Sequence, residues 1–155
     1  MTIIVPVNLD EITQAVKDMW TDDAQVGVAG VVVERYEPLC KQPTQHGWVS
    51  VYRARVDYPP KTLGFGTGYR NQFVRLFAIA SESDMTSGEE CGRRLDDLLK
   101  KLVSTLLSDP TLKGTVDTLD EFSVDYFDYT RDKETNVYMQ FAQINFTGVI
   151  PVSAM

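Results

Sequence analysis

Histidine and cysteine are nearly missing from this chain, which has one histidine and two cysteines in 155 residues. A zinc centre needs three or four His, Cys or carboxylate ligands at short spacing. His46 has no such company, and beside Gly47 it reads as a solvated loop residue. Two cysteines cannot make a disulfide framework. Cys91 falls on an apolar helical stripe. Cys40 would be nucleophilic only with a base brought by folding, and His46 stands too near in sequence to form a signature. Both cysteines are therefore expected as reduced thiols. No apolar run approaches the roughly 20 residues of a membrane helix. The first residues, Met1-Thr2-Ile3-Ile4-Val5-Pro6, lack the basic start of a secretion signal. Positive charge is scarce too. With 15 Lys and Arg against 22 Asp and Glu, the net charge is −7, which argues against tight nucleic-acid binding through phosphates. Neither a metal nor a cofactor is expected.

The residues that are present describe an ordinary globular chain, 43% hydrophobic and 24% charged, long enough for a single domain spanning 1–155 with a real core. Ser87 with Glu90 forms a capping box, which satisfies two orphaned backbone donors. Behind it Cys91, Leu95, Leu98, Leu99, Leu102, Val103, Leu106 and Leu107 follow helical spacing. Pro110 stops this helix, because its ring excludes the helical conformation at Asp109. Asn8 with Glu11 caps an earlier helix carrying Leu9, Ile12, Val16 and Met19, extended by Trp20 and ended by Thr21-Asp22-Asp23.

Between the helices, Val26 to Tyr36 is β-branched and reads as a buried strand despite Gly27 and Gly30. Trp48 to Tyr58 alternates, with Trp48, Tyr52, Ala54, Val56 and Tyr58 expected on one side and Arg53, Arg55 and Asp57 largely on the other. Asn71 to Ala80, apolar on both faces except at Arg75, suits a central strand. Phe122 to Tyr129 and Asn136 to Phe146 form a strand pair joined by the charged link 130–135. Their aromatics lie on both faces, so half of them need cover from something other than one core. The fold class is α+β: a mainly antiparallel sheet with an N-terminal helix and a long second helix packed on one face.

Two segments are too long for tight turns. Residues 59–70 place three glycines among Leu63, Phe65 and Tyr69 behind two prolines, and a loop of this length either carries function, here expected as partner binding, or is disordered. The Gly64-x-Gly66-x-Gly68 spacing there is not a dinucleotide fingerprint, since a strand rather than a helix follows and the interval is wrong. The tail 147–155 is uncharged and is expected to pack on its own sheet or on a neighbour. Charge is also divided along the chain. Residues 35–75 carry Arg35, Lys41, Arg53, Arg55, Lys61, Arg70 and Arg75 against Glu37 and Asp57. Residues 117–134 carry Asp117, Asp120, Glu121, Asp125, Asp128, Asp132 and Glu134 against Arg131 and Lys133. Opposite charges can pair across neighbouring strands within one chain. They can equally meet head to tail between copies, with Arg53, Arg55, Arg70 and Arg75 of one facing Asp125 and Asp128 of the next, a heterologous contact that closes into rings. Acidic pairs such as Glu89-Glu90 and Asp96-Asp97 are matched by Arg93, Arg94, Lys100 and Lys101 at helical spacing, a solvated face rather than a catalytic dyad.

The element order, together with Leu106-Leu107-Ser108-Asp109-Pro110-Thr111-Leu112-Lys113-Gly114-Thr115-Val116, resembles the tail-terminator (tail completion) proteins of tailed bacteriophages. This stretch is similar to their helix end, Asp-Pro-x-Leu turn and Gly-x-Val strand entry, although Lys113 stands where that family often has a small residue. The resemblance implies a non-enzymatic virion protein of the tail or neck, assembled in the host cytoplasm. It implies a homo-hexameric ring between the tail tube protein and a head-side connector protein, with DNA only as cargo passing through the lumen and no membrane contact. Acidic residues of the 120–134 hairpin, Asp120, Glu121, Asp132 and Glu134, or of the first helix are then the expected channel lining, since like charge lets DNA slide. The alternatives are another head–tail connector or neck protein of a phage or contractile injection system, and a small α+β ligand-binding or enzymatic domain built from scattered residues.

Overall fold

The computed structural model describes residues 7–38, 47–58, 69–127, 130–132 and 137–153. Helix α1 (Leu9–Asp22) and helix α2 (Gly88–Ser108) pack on one side of a mixed sheet. The strands are β1 (Val32–Arg35), β2 (Trp48–Asp57), β3 (Tyr69–Asp84), β4 (Thr118–Tyr126), β5 (Thr130–Asp132) and β6 (Val137–Ser153). The order across the sheet is β1-β2-β3-β6-β4, and β5 also pairs with β6. β1 runs parallel to β2, and every other pairing is antiparallel. The expected α+β class and central third strand are found.

Both helix starts follow from the sequence. Asn8 Oδ1 accepts from the Glu11 amide at 3.1 Å, and Ser87 Oγ accepts from the Glu90 amide at 3.2 Å. The second half of the expected capping box is not made by Glu90, whose carboxylate turns to Arg93. Asp84 replaces it: Oδ1 accepts from the amides of Thr86 at 2.7 Å and Ser87 at 3.0 Å. A nearer acid at the end of β3 outcompetes one turn of helix. Trp20, fully buried, donates Nε1 to the Leu102 carbonyl at 3.2 Å and joins the helices.

The reading of residues 26–36 as one strand is corrected. Residues 24–30 form turns, and only Val32–Arg35 is strand. Gly27 donates to the Trp20 carbonyl at 2.9 Å and Val31 to the Val26 carbonyl at 3.1 Å, so local bonds take donors that a ladder would need. Val26 is buried while Val28 is 71% exposed. The single-sided alternation of Trp48–Tyr58 is corrected as well. A bulge between Arg53 and Arg55 shifts the pairing by one residue, and such a shift exchanges faces. Val49, Val51 and Val56 therefore face the helices, while Tyr52 stacks on Phe77 at 5.1 Å on the opposite side.

β3 and β6 form the long spine of the sheet, paired from Tyr69 with Ser153 to Asp84 with Tyr138. The tail 147–153 is thus the second half of β6, packed on its own sheet. Tyr69 and Arg70 open β3 instead of closing the preceding loop. β4 begins at Thr118, four residues earlier than the expected Phe122. Its core-side Phe122 stacks on Phe146 at 6.1 Å.

Candidate assembly surface

Strand parity decides what the helix-free side of the sheet displays. Val74, Leu76, Ala78 and Ala80 of β3 point to the helices and are buried, so Phe73, Arg75, Phe77 and Ile79 point away and stay half-buried. Met139, Phe141, Gln143 and Asn145 of β6 and Ser123 and Asp125 of β4 share that outer face by register. Among the described residues no helix covers it. This face is buried at Trp48, Ser50 and Ser81, half-buried and apolar around Tyr52, Phe77, Ile79 and Phe141, and charged farther along.

An ion chain crosses the charged half. Arg75 Nε lies 3.0 Å from Asp57 Oδ2, Arg75 Nη1 lies 3.0 Å from Glu121 Oε2, and Arg55 Nε lies 2.5 Å from Asp57 Oδ1. Arg75 reaches over β6 at Thr147 to do this, because β6 separates β3 from β4. Its guanidinium, and then that of Arg55, hold the Asp57 carboxyl below the usual carboxylate range. The same hydrogen bond raises the Arg75 pKa. Beside the chain, Gln143 Nε2 donates to Asn145 Oδ1 at 2.7 Å, and Asn145 Nδ2 donates to Asp125 Oδ2 at 2.8 Å. A depression of about 670 Å³ lies between these groups, lined by Ala54, Phe77, Ser123 and Thr147 among others. Its one carboxylate, Glu121, and its one guanidinium, Arg75, are already paired with each other.

The far margin of the sheet is different. Tyr36 ends β1 with φ of 65°, uncommon for a bulky side chain. Its ring has the Arg35 and Arg53 guanidinium carbons 5.1 and 5.0 Å from the centroid, and its hydroxyl lies 2.7 Å from Thr13 Oγ1 on α1. Arg35 also binds Asp10 Oδ1 at 2.6 Å. The bulge in β2 sends Arg53 to this cluster and Arg55 to the outer face.

The expected interface residues therefore divide. Arg53 and Arg55 are exposed at the β2 margin, and Asp125 is exposed on β4. Arg75 meets Glu121 within the chain, the intramolecular pairing that the charge division left open. Arg70 lies in β3, and Asp128 is outside the described residues. Of the expected partner loop, Leu63 and Phe65 lie outside the described residues and Tyr69 begins β3. Of the expected channel lining, Asp120 and Glu121 are exposed on β4, Asp132 ends β5, and Glu134 lies outside the described residues. His46 and Cys40 lie outside them as well, whereas Cys91 is a buried free thiol.

On the helix side, β4 is only partly covered, and the Tyr126 hydroxyl faces Asp96 of α2. Leu119, Phe122 and Val124 are half-buried there, Tyr126 is 63% exposed, and Leu107 on α2 is 57% exposed. Sequence reasoning missed the buried Glu82 and its pairing with the partly exposed Arg94. Its signal was available, since Glu82 continues the inward parity of Val74, Leu76, Ala78 and Ala80. Among the described residues no three His, Cys, Asp or Glu are grouped to hold a metal, and no helix is long and apolar enough to cross a membrane.

No protein-family model matches the chain, and no curated protein matches it. Among solved structures, it is similar to the sheath/tube terminator of PVC, an extracellular contractile injection system, determined by cryo-EM in the extended state. The TM-score is 0.49 at 11% identity, over 98% of this chain and 58% of the other. The chain thus spans less than two thirds of that terminator's length.

Proposed function

We propose that this chain folds as one domain and is a non-enzymatic assembly protein of the tail-terminator type. In this reading six copies form a ring that caps the tail tube, joins it to a head-side connector, and lets DNA pass through its lumen. The protein resides in the tail or neck of the virion and assembles in the host cytoplasm. The observation that carries the reading is a sheet that, among the described residues, has helices on one side only, with an acidic β4 at one margin and exposed guanidinium groups near the other. β4 bears Asp120, Glu121 and Asp125 with no base between Thr118 and Tyr126, while β1 and β2 bear Arg35, Arg53 and Arg55 beside Glu34 and Asp57, with Arg35 paired to Asp10 and Arg55 to Asp57. Surfaces of that kind complement each other head to tail. The terminator-like stretch from Leu106 to Val116 supports it further, and so does the exposed apolar side of β4.

Native mass spectrometry and negative-stain imaging of the purified full chain test the proposal. Rings of six 17.5 kDa copies are expected, loosening as ionic strength rises because exposed ion pairs are screened. Duplex DNA should bind weakly at about 0.15 M salt, since an acidic lumen offers no counterion release. A monomer at every protein and salt concentration, carrying a bound metabolite, overturns the reading.

A further inference from the structure

Glu82 continues the inward-facing parity of the central strand, one inward position before Asp84 ends it, and it is 5% exposed. Among the described residues no other acid is buried. α2 covers it with Arg94, whose Nη2 lies 3.4 Å from Glu82 Oε2, and with Cys91, whose thiol donates to the Glu82 carbonyl at 3.2 Å. Arg94 is shared: Nη1 donates to the Ser83 carbonyl at 2.8 Å and lies 3.8 Å from Asp84 Oδ2. Lys101 adds a more distant positive charge. From β6 the facing residue is the neutral Gln140, which donates to the Gly88 carbonyl. From the entry to β2 the facing residue is Gly47, with φ of +92°. A Cβ built there would stand 2.4 Å from Glu82 Oε1 and 3.1 Å from Leu98 Cδ2. Gly47 also accepts from the Val32 amide at 3.2 Å, which fixes where β1 meets β2. Glu82 Oε2 has no hydrogen bond.

We propose that Glu82 is a proton-operated latch, closing α2 and the Gly47 corner onto β3 when its carboxyl is neutral and releasing them when it is charged. A neutral carboxyl tolerates this buried position with one oxygen unbonded, whereas a carboxylate has only the shared Arg94 guanidinium, the Ser83 amide and the more distant Lys101 to offset its burial. Burial pushes the Glu82 pKa up to about 7 from 4.5, with Arg94 opposing the rise. The closed form therefore holds a proton that the open form has released. The latch is fully closed below about pH 4.5 and weakens as pH rises towards about 7. Over that interval the opening equilibrium grows by up to roughly tenfold per pH unit. The inference does not depend on the assembly reading.

Hydrogen exchange of the full chain between about pH 5 and about pH 8, expressed as protection factors, tests it. Protection of the amides around Gly47–Val51 and Cys91–Leu95 is expected to fall with rising pH in the wild type. It should stay level in Glu82→Gln. His46→Gln removes the one histidine of the chain and should keep the wild-type dependence. A level wild-type profile, an unchanged dependence in Glu82→Gln, or its loss in His46→Gln overturns the latch. Should Glu82→Gln not fold, the carboxyl-carbon NMR shift of Glu82 in the wild type decides: a midpoint near 7 supports the proposal, and one near 4.5, the ordinary value, overturns it.

Discussion

The turn after α2 is built to place Val116 against Gly148, and that contact can be tested by exchanging volume between the two positions. Asp109 caps the turn with Oδ1 towards the Thr111 amide at 3.2 Å and Oδ2 towards the Lys113 amide at 3.0 Å. Leu112, Lys113 and Gly114 follow with φ of 48°, 58° and 81°. Leu112 is fully buried and Val116 is 5% exposed. A Cβ on Gly148 would lie 2.8 Å from Val116 Cγ1 and 3.3 Å from its Cβ, against an ordinary carbon contact of about 3.5–4 Å. Rotating Val116 does not relieve this, because its Cβ is also close. Gly148→Ala should therefore cost about 1–3 kcal/mol as backbone is displaced. Val116→Ala loses two buried methyl groups at about 0.8 kcal/mol each, plus a cavity contribution, or about 2 kcal/mol. In the double variant the new methyl enters the space vacated by valine, so the loss should fall short of the sum by about 1–2 kcal/mol. Urea titrations of the four proteins, with equal slopes, measure the coupling as shifts in midpoint. Strict additivity, or a Gly148→Ala midpoint equal to wild type, would refute this account of the turn.

Reversing charge in Arg53→Glu with Arg55→Glu should lower the fraction of assembled protein in sedimentation or native mass spectrometry while the far-UV spectrum holds. Undiminished assembly rejects those residues as interface. Asp57 has its carboxyl held below the usual range by Arg75 and Arg55. Its contribution to stability is present above its ordinary pKa and lost as pH falls through the lowered one. Arg75→Met should consequently flatten the acid limb of stability against pH, read as denaturant midpoints at successively lower pH, and an unaltered limb would show that the ion chain contributes nothing there.

Local rules made most of the fold readable. Ser87, the Cys91–Leu106 stripe and Pro110 define α2 without reference to the rest of the chain, and the two-sided apolar character of Asn71–Ala80 marks the centre of the sheet. The misreadings have long-range causes. Val26–Tyr36 has strand composition, but the end of α1 supplies the Trp20 carbonyl that bends it at Gly27. The faces of β2 depend on a bulge at Arg53, and neither Arg53 nor Arg55 signals it. The candidate surface was half legible: the basic and acidic segments stood out in sequence, yet their internal pairing through Arg75 depends on the register that aligns Arg75, Thr147 and Asp120. Glu82 was passed over because one acid at the end of a strand resembles a solvated turn until parity is followed into the core.

The internal use of Arg75 narrows what the proposed ring can employ. Two copies joined by a twofold axis through β4 would set Asp120, Glu121 and Asp125 against the same residues of the partner, and like charges across a strand pair oppose association. A heterologous contact avoids this by bringing β4 to the β1–β2 margin. There Arg53 is held over Tyr36 and Arg55 shares Asp57 with Arg75, so both guanidinium groups are oriented before any partner arrives. Orienting them in advance lowers the side-chain entropy lost on association. The charges that remain for a neighbour are then Arg53, with Arg55 already bridged to Asp57, on one side and Asp120 and Asp125 on the other. Exposed pairs of this sort set the orientation of approach more than the affinity, so the proposed ring would draw its binding energy from half-covered apolar residues of β4 such as Leu119 and Val124.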